Sequence, residues 1–143
     1  MDIGYIDTSF LLSIIFEDEN YEKSVKYWNE LDILYSSLLL EVESEINVYK
    51  YCVLTKKNKI LYQDKVEQLK DLLENVNKKN IDQEIVIEIK NVDKLKRLKS
   101  LDSIHLATAN IINKLLNEKL LLCTYDKNMI KIGKEMGMVT LFF

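Results

Sequence analysis

The chain has 143 residues, the size of one domain and enough to bury a core. Hydrophobic residues make up 48% and charged residues 30%, a balance that excludes a disordered or fibrous protein. With 20 basic against 23 acidic residues the net charge is −3, which excludes a basic arm that grips nucleic acid by bulk charge.

In chain order, Ile3-Gly4-Tyr5-Ile6 reads as a short buried strand that ends at Asp7. Thr8 or Ser9 is then expected to cap a helix carrying Phe10, Leu11, Leu12, Ile14 and Ile15. The apolar run 10–16 is broken by Ser13 and has no basic region before it, so it reads neither as a bilayer span nor as a secretion signal. A second helix over 21–31 is expected to bury Val25 and Trp28. Residues 33–35 read as a second strand, Ser36-Ser37 as a cap, and 38–54 as a long helix with Leu38, Val42, Ile46 and Tyr49 at helical spacing. After a solvated turn at 55–59 comes an amphipathic helix holding Val66, Leu69, Leu72 and Leu73. The polar stretch 77–83 reads as a loop and Ile85-Val86-Ile87 as the third strand. A short basic helix over 92–99 leads to Ser100, expected to cap a helix over 101–116. Leu120-Leu121-Leu122-Cys123 is the continuous apolar run of a strand covered on both faces, and it ends at Thr124-Tyr125-Asp126. A helix over 128–136 and a strand over 139–142 close the chain.

Proline is absent and glycine occurs three times, so connections must be short and regular structure abundant. The alternation of apolar strands with amphipathic helices predicts a single α/β domain over residues 1–143. Its core is an open, mostly parallel sheet of four to five strands with helices on both faces. Such folds bind ligands beyond the carboxyl ends of their strands, and two strands here deliver an aspartate at that edge. Cys52 and Cys123 have neither CxxC spacing nor paired histidines, which suits buried thiols in a reducing, cytoplasmic setting.

Four acids stand out. Asp7 and Asp126 each follow an apolar strand and precede a helix, where a capping role would stabilise by roughly 1 kcal/mol without requiring an acid in particular. Asp102 lies in the first turn of its helix, where the positive helix end favours a carboxylate by about 0.3–1 kcal/mol. Glu41 is flanked by Leu38, Leu39, Leu40 and Val42, and a carboxylate in so apolar a stretch calls for a partner or a metal. Glu45 lies one turn further on the same face, as an auxiliary candidate, while Glu43 points elsewhere. Acids crowded together without cations repel one another, so such a cluster implies hard divalent ions, Mg²⁺ or Mn²⁺.

At these residues the chain resembles PIN-domain nucleases, particularly the VapC-like toxins of toxin–antitoxin pairs. The resemblance rests on Tyr5-Ile6-Asp7-Thr8-Ser9, on Ser36-Ser37-Leu38 leading to Glu41, on Leu98-Lys99-Ser100-Leu101-Asp102-Ser103-Ile104-His105-Leu106-Ala107-Thr108-Ala109, and on Thr124-Tyr125-Asp126-Lys127. The third string is the specific one. The segments occur in the family's order from end to end of the chain. The resemblance implies a three-layer α/β/α fold and hydrolysis of RNA with Mg²⁺ or Mn²⁺ to leave a 5′-phosphate and a 3′-hydroxyl. It also implies homodimerisation and inhibition by a cognate antitoxin. Carried over by residue, Asp7, Glu41, Asp102 and Asp126 match the metal-binding acids, and Thr8 and Thr124 match hydroxyl positions beside them. Asn128 stands near a further acid of some members, where an amide is a weaker ligand. His105, the only histidine, matches a structural position within its helix rather than a catalytic base.

RNA contacts are expected from lysine and arginine. The group Lys94, Lys96, Arg97 and Lys99 leads straight into Asp102, and Lys96, Arg97 and Lys99 are its candidates for phosphate contact. Lys50, Lys56, Lys57 and Lys59 form a second basic group. A phosphatase would want a second acid two residues after Asp7, where Ser9 stands, and a receiver domain would want paired acids before its phosphorylated aspartate. Two alternatives stay open: an RNA-maturation nuclease of the same family, and an inactive PIN-like module that binds RNA or protein.

Overall fold

The computed structural model describes residues 1–141. The elements are β1 (Ile3–Ile6), α1 (Thr8–Phe16), α2 (Tyr21–Glu30), β2 (Ile33–Ser37), α3 (Leu39–Tyr49), α4 (Lys59–Leu73), β3 (Val76–Lys79), α5 (Gln83–Asn91), α6 (Ser100–Leu115), β4 (Leu120–Cys123), α7 (Lys127–Glu135) and β5 (Val139–Thr140). A wide π-helical turn, Lys50–Thr55, extends α3, and a tight 3₁₀ turn, Asp93–Arg97, precedes α6. The expected closing strand reached Phe142, which lies outside the described residues.

All five strands are parallel, in the order β3-β2-β1-β4-β5. Side chains alternate across the pleat, so β1 serves two cores at once. Ile3 and Tyr5 pack with Leu120 and Leu122 under Ile85, Leu106 and Ile132 of α5, α6 and α7. Ile6 packs with Leu34, Val76 and Cys123 under Phe10, Leu40 and Leu69 of α1, α3 and α4. This is the three-layer α/β/α arrangement that the sequence predicts. Among the described residues no helix is long and apolar enough to cross a membrane.

One strand lies elsewhere than expected. Residues 85–87 belong to α5, not to a strand: Ile85 is buried and Ile89 packs beside it, while Val86 and Ile87 are exposed. A run of three apolar residues fits either period, and Asp82 decides by accepting the Glu84 N–H at 3.1 Å, which starts a helix. The third strand is instead the polar Val76-Asn77-Lys78-Lys79, most of it within the expected loop. As an edge strand it needs only Val76 in the core, and its lysines suit an edge that must not pair with other chains.

Gly137 takes φ +83, a left-handed conformation that ends α7 and turns the chain into β5.

Candidate active site

Strands β1 and β4 lie side by side with Ile6 opposite Cys123, so the residues that follow, Asp7 and Thr124, emerge together at the carboxyl rim. The Asp7 N–H donates to the Cys123 carbonyl at 3.2 Å and continues the ladder by one bond. Asp7 itself, rather than Thr8 or Ser9, caps α1: its Oδ1 accepts the Phe10 N–H at 3.0 Å and the Ser9 hydroxyl at 2.7 Å. Its Oδ2 accepts the Thr124 hydroxyl at 2.5 Å. With 4% exposure Asp7 is nearly out of water. Burial pushes its carboxyl above the usual carboxylate range, against the pull of His105 and of these three donors.

Thr124 is fully buried and ties two acids together, for its hydroxyl oxygen also accepts the Asp126 N–H at 3.0 Å. Asp126 caps α7 through Oδ1, which accepts the Met129 N–H at 2.9 Å. Asp102 arrives from the first turn of α6, which starts at Ser100 without a side-chain cap. Its carboxyl is raised by burial first, then by the charges of Asp126, Asp7 and Glu43, with His105 opposing. The charges of those three acids therefore reach Asp102. Among the described residues Asp102 has neither a hydrogen bond nor an ion pair, and no lysine or arginine pairs with Asp7 or Asp126.

Glu41 is not part of this group. Its carboxylate pairs with Lys78 at 2.7 Å, and it lines a groove between α3 and α4 together with Glu45 and Lys70. Glu45 accepts a long hydrogen bond of 3.4 Å from Tyr62. The acid that α3 sends to the rim is Glu43, two residues on and so about 200° around the helix. The Thr8 hydroxyl donates to Glu43 Oε1 at 2.7 Å, and His105 Nε2 lies 2.6 Å from the same oxygen. Burial works against the Glu43 carboxylate, but the bonds from His105 and Thr8 outweigh it and hold the group below the usual range.

Sequence reasoning missed Glu43 because it took Leu38, Val42, Ile46 and Tyr49 as the buried face of α3. Those four are exposed, and Leu40, Ser44 and Val48 are buried instead. The available signal was Ser44, a small residue whose hydroxyl turns back onto the Leu40 carbonyl and lets α3 sit close.

Of the basic candidates, Lys96 is occupied by Asp93 at 3.0 Å and Arg97 by Glu135 at 3.1 Å. Lys99, exposed at the start of α6, is better placed, as is Lys127, the exposed residue after Asp126. Asn128 is exposed on the first turn of α7.

The donor chemistry fits a hard cation: the acids offer oxygens only, burial raises the carboxyls of Asp7 and Asp102, crowding raises that of Asp102 further, and Asp102 has no partner. As the side chains stand, no three His, Cys, Asp or Glu among the described residues converge closely enough to hold an ion.

No curated protein matches the chain in sequence. Among solved structures it is similar to a toxin–antitoxin complex from Klebsiella pneumoniae, with TM-score 0.58 and 21% identity over 86% of each chain. It is similar to VapBC2 from Rickettsia felis bound to a DNA fragment from their promoter, with TM-score 0.65 and 14% identity over 96% of each chain. A third, PAE2754 from Pyrobaculum aerophilum, gives TM-score 0.58 and 18% identity over 99% of this chain and 92% of that one. At such identities the likeness establishes the fold. The family model for the PIN domain matches residues 4–135, from the first strand through the last helix and across every acid of the rim. The chain thus belongs to the PIN domain family, whose members are generally nucleases.

Proposed function

We propose that this protein is an endoribonuclease dependent on Mg²⁺ or Mn²⁺, and the toxin of a toxin–antitoxin pair. One observation carries the reading: Asp102, a partly buried carboxylate without a partner, stands at the rim where β1 and β4 deliver Asp7 and Asp126, within reach of their charges and of that of Glu43. Capping accounts for the places of Asp7 and Asp126 but not for that concentration of negative charge. A fold that gathers it without a lysine or arginine gains most when a cation arrives.

In this reading Asp7, Asp102 and Asp126 hold the cation, with Glu43 in the position expected of Glu41. When bound, the cation supplies positive charge for the scissile phosphate and activation of the attacking water. Water oxygen bonds to phosphorus, the bond from phosphorus to the 3′-oxygen breaks, and a 5′-phosphate and a 3′-hydroxyl remain. Thr124 fixes the Asp7 carboxylate and the Asp126 backbone, so the two strand ends cannot drift apart. Lys99 and Lys127 supply phosphate contacts on either side of the acids. No side chain has to act as nucleophile.

The toxin assignment and the antitoxin partner draw on the two structural relatives described as toxin–antitoxin complexes. Exposed apolar side chains also support a protein partner: Leu38, Val42 and Ile46 on α3, and Val86 and Ile87 on α5. A cognate antitoxin and a second copy of the chain are the partners this reading holds for them.

The test is cleavage of single-stranded RNA by wild type and Asp7→Asn, with Mg²⁺, with Mn²⁺ and with chelator. The expected result is cation-dependent cleavage that falls on the order of 100-fold in the variant and vanishes with chelator. Cleavage that survives both the substitution and chelation contradicts the reading.

A further inference from the structure

His105 is 2% exposed, and both of its ring nitrogens are engaged. The Tyr5 hydroxyl lies 2.8 Å from Nδ1, and Glu43 Oε1 lies 2.6 Å from Nε2. The rings of Tyr5 and His105 meet edge to face with centroids 5.9 Å apart. An ionised carboxylate only accepts, so Nε2 must carry a hydrogen and donate to Glu43. At Nδ1 the ring meets the hydroxyl of Tyr5, fully buried and kept as a phenol by that burial. The result is a chain of contacts from Tyr5 at the sheet through His105 of α6 to Glu43 of α3.

Two donors, His105 Nε2–H and the Thr8 hydroxyl, converge on the same Glu43 oxygen. The other oxygen, Oε2, has no hydrogen-bond partner among the described residues. The far end of the chain is the part near water, since the Glu43 side chain is 20% exposed where the His105 side chain is 2%. A histidine that merely filled the core would need no acid at the rim; here the acid beside Asp102 is the acceptor.

We propose that His105 is a positioning residue: by donating from Nε2 to Glu43 Oε1, with its ring held at Nδ1 by the Tyr5 hydroxyl, it holds the second Glu43 oxygen at the rim as a ligand position for a divalent cation. The proposal rests on the metallonuclease reading above. Outer partners that orient a ligating carboxylate typically contribute 10–100-fold to metal affinity.

The test is a Mn²⁺ binding isotherm, followed calorimetrically, on wild type, His105→Leu and His105→Gln, with thermal unfolding of each in chelator. Glutamine places an N–H close to where Nε2 stands but cannot repeat the contact with Tyr5. Both variants are therefore expected to unfold at lower temperature, while affinity for Mn²⁺ falls about 10–100-fold in His105→Leu and recovers to within a few-fold in His105→Gln. Equal affinity in wild type and His105→Leu overturns the proposal, as does an equal loss in both variants. A wild type that neither binds Mn²⁺ nor cleaves RNA overturns the metallonuclease reading along with it.

A second measurement uses wild type alone, in case the variants do not fold. With one histidine in the sequence, ¹⁵N spectra carry a single imidazole, and the expected pattern has hydrogen on Nε2. Hydrogen on Nδ1 alone overturns the proposal, because His105 would then offer Glu43 no donor.

Discussion

Asp102 and Glu43 lie on opposite sides of one electrostatic balance, and their responses to pH differ in sign. The Asp102 carboxyl is raised in the folded protein, so the fold favours its protonated form. That preference contributes stability below the unfolded-state value, and the contribution is lost as pH rises through the raised one. At neutral pH without cations Asp102 is thus a source of repulsion. Asp102→Asn is expected to raise the melting temperature by about 2–4 °C at pH 7 in chelator, and to change little near pH 3, where carboxyls are protonated in both states. Glu43 is lowered, so its contribution is present above the unfolded value and lost as pH falls through the folded one. Glu43→Gln is expected to lower the melting temperature at pH 7. Thermal scans of both variants in chelator check the two signs together, and opposite signs to these would remove the electrostatic account of the rim.

At this scale Asp7 and Asp126 were legible in the sequence because each follows an unbroken apolar strand, and strand ends share a rim in a parallel sheet. Asp102 was legible from its place in the first turn of an apolar helix. The fourth acid was not. Glu41, Glu43 and Glu45 alternate along α3, and only the face that the helix buries tells them apart. Leu40, Ser44 and Val48 make that face, a less hydrophobic set than the exposed Leu38, Val42, Ile46 and Tyr49. Hydrophobic spacing therefore pointed to the surface that meets solvent.

Among elements, α5 separates two periods that its sequence confounds. In a strand Ile85 and Ile87 would share a face and respond alike to truncation. In the helix Ile85 is 1% exposed and Ile87 50%. Ile85→Ala is expected to cost about 2–4 kcal/mol, whereas Ile87→Ala should stay within about 0.5 kcal/mol, as read from urea unfolding. Similar losses at the two positions would contradict the helix. The polar strand β3 escaped notice for a related reason. An edge strand that buries Val76 alone carries no alternating pattern, and its identity comes from pairing with Leu34, Tyr35, Ser36 and Ser37. The four other strands and most helices were legible because their apolar faces are long enough to show a period.

For the molecule as a whole, the strand order places the acids. From the central β1 the chain winds outward to β2 and β3, then returns to β4 on the opposite side and continues to β5. The crevice at that reversal, between β1 and β4, is where open parallel sheets bind ligands, and Asp7, Thr124 and Asp126 stand on it. In the proposed function RNA must approach this acidic crevice although the chain carries net charge −3. Attraction therefore comes from local cations. With Lys96 and Arg97 held by Asp93 and Glu135, the proposed phosphate contacts fall to Lys99 and Lys127. Lys99→Ala and Lys127→Ala are each expected to lower the slope of log affinity against log salt by about 0.7, and Lys96→Ala to leave it nearly unchanged. Fluorescence titrations of single-stranded RNA over a range of salt measure this. A larger change at Lys96 than at Lys99 would move the RNA path to the far side of the 3₁₀ turn.

The central claim is that Asp7, Glu43, Asp102 and Asp126 meet around a divalent cation, and Mn²⁺ binding to Asp102→Asn, Glu43→Gln and Glu41→Gln tests it most directly. The account predicts that the first two substitutions weaken binding at least tenfold and the third leaves it unchanged. Tight binding that persists in Asp102→Asn and Glu43→Gln but is lost in Glu41→Gln would contradict it.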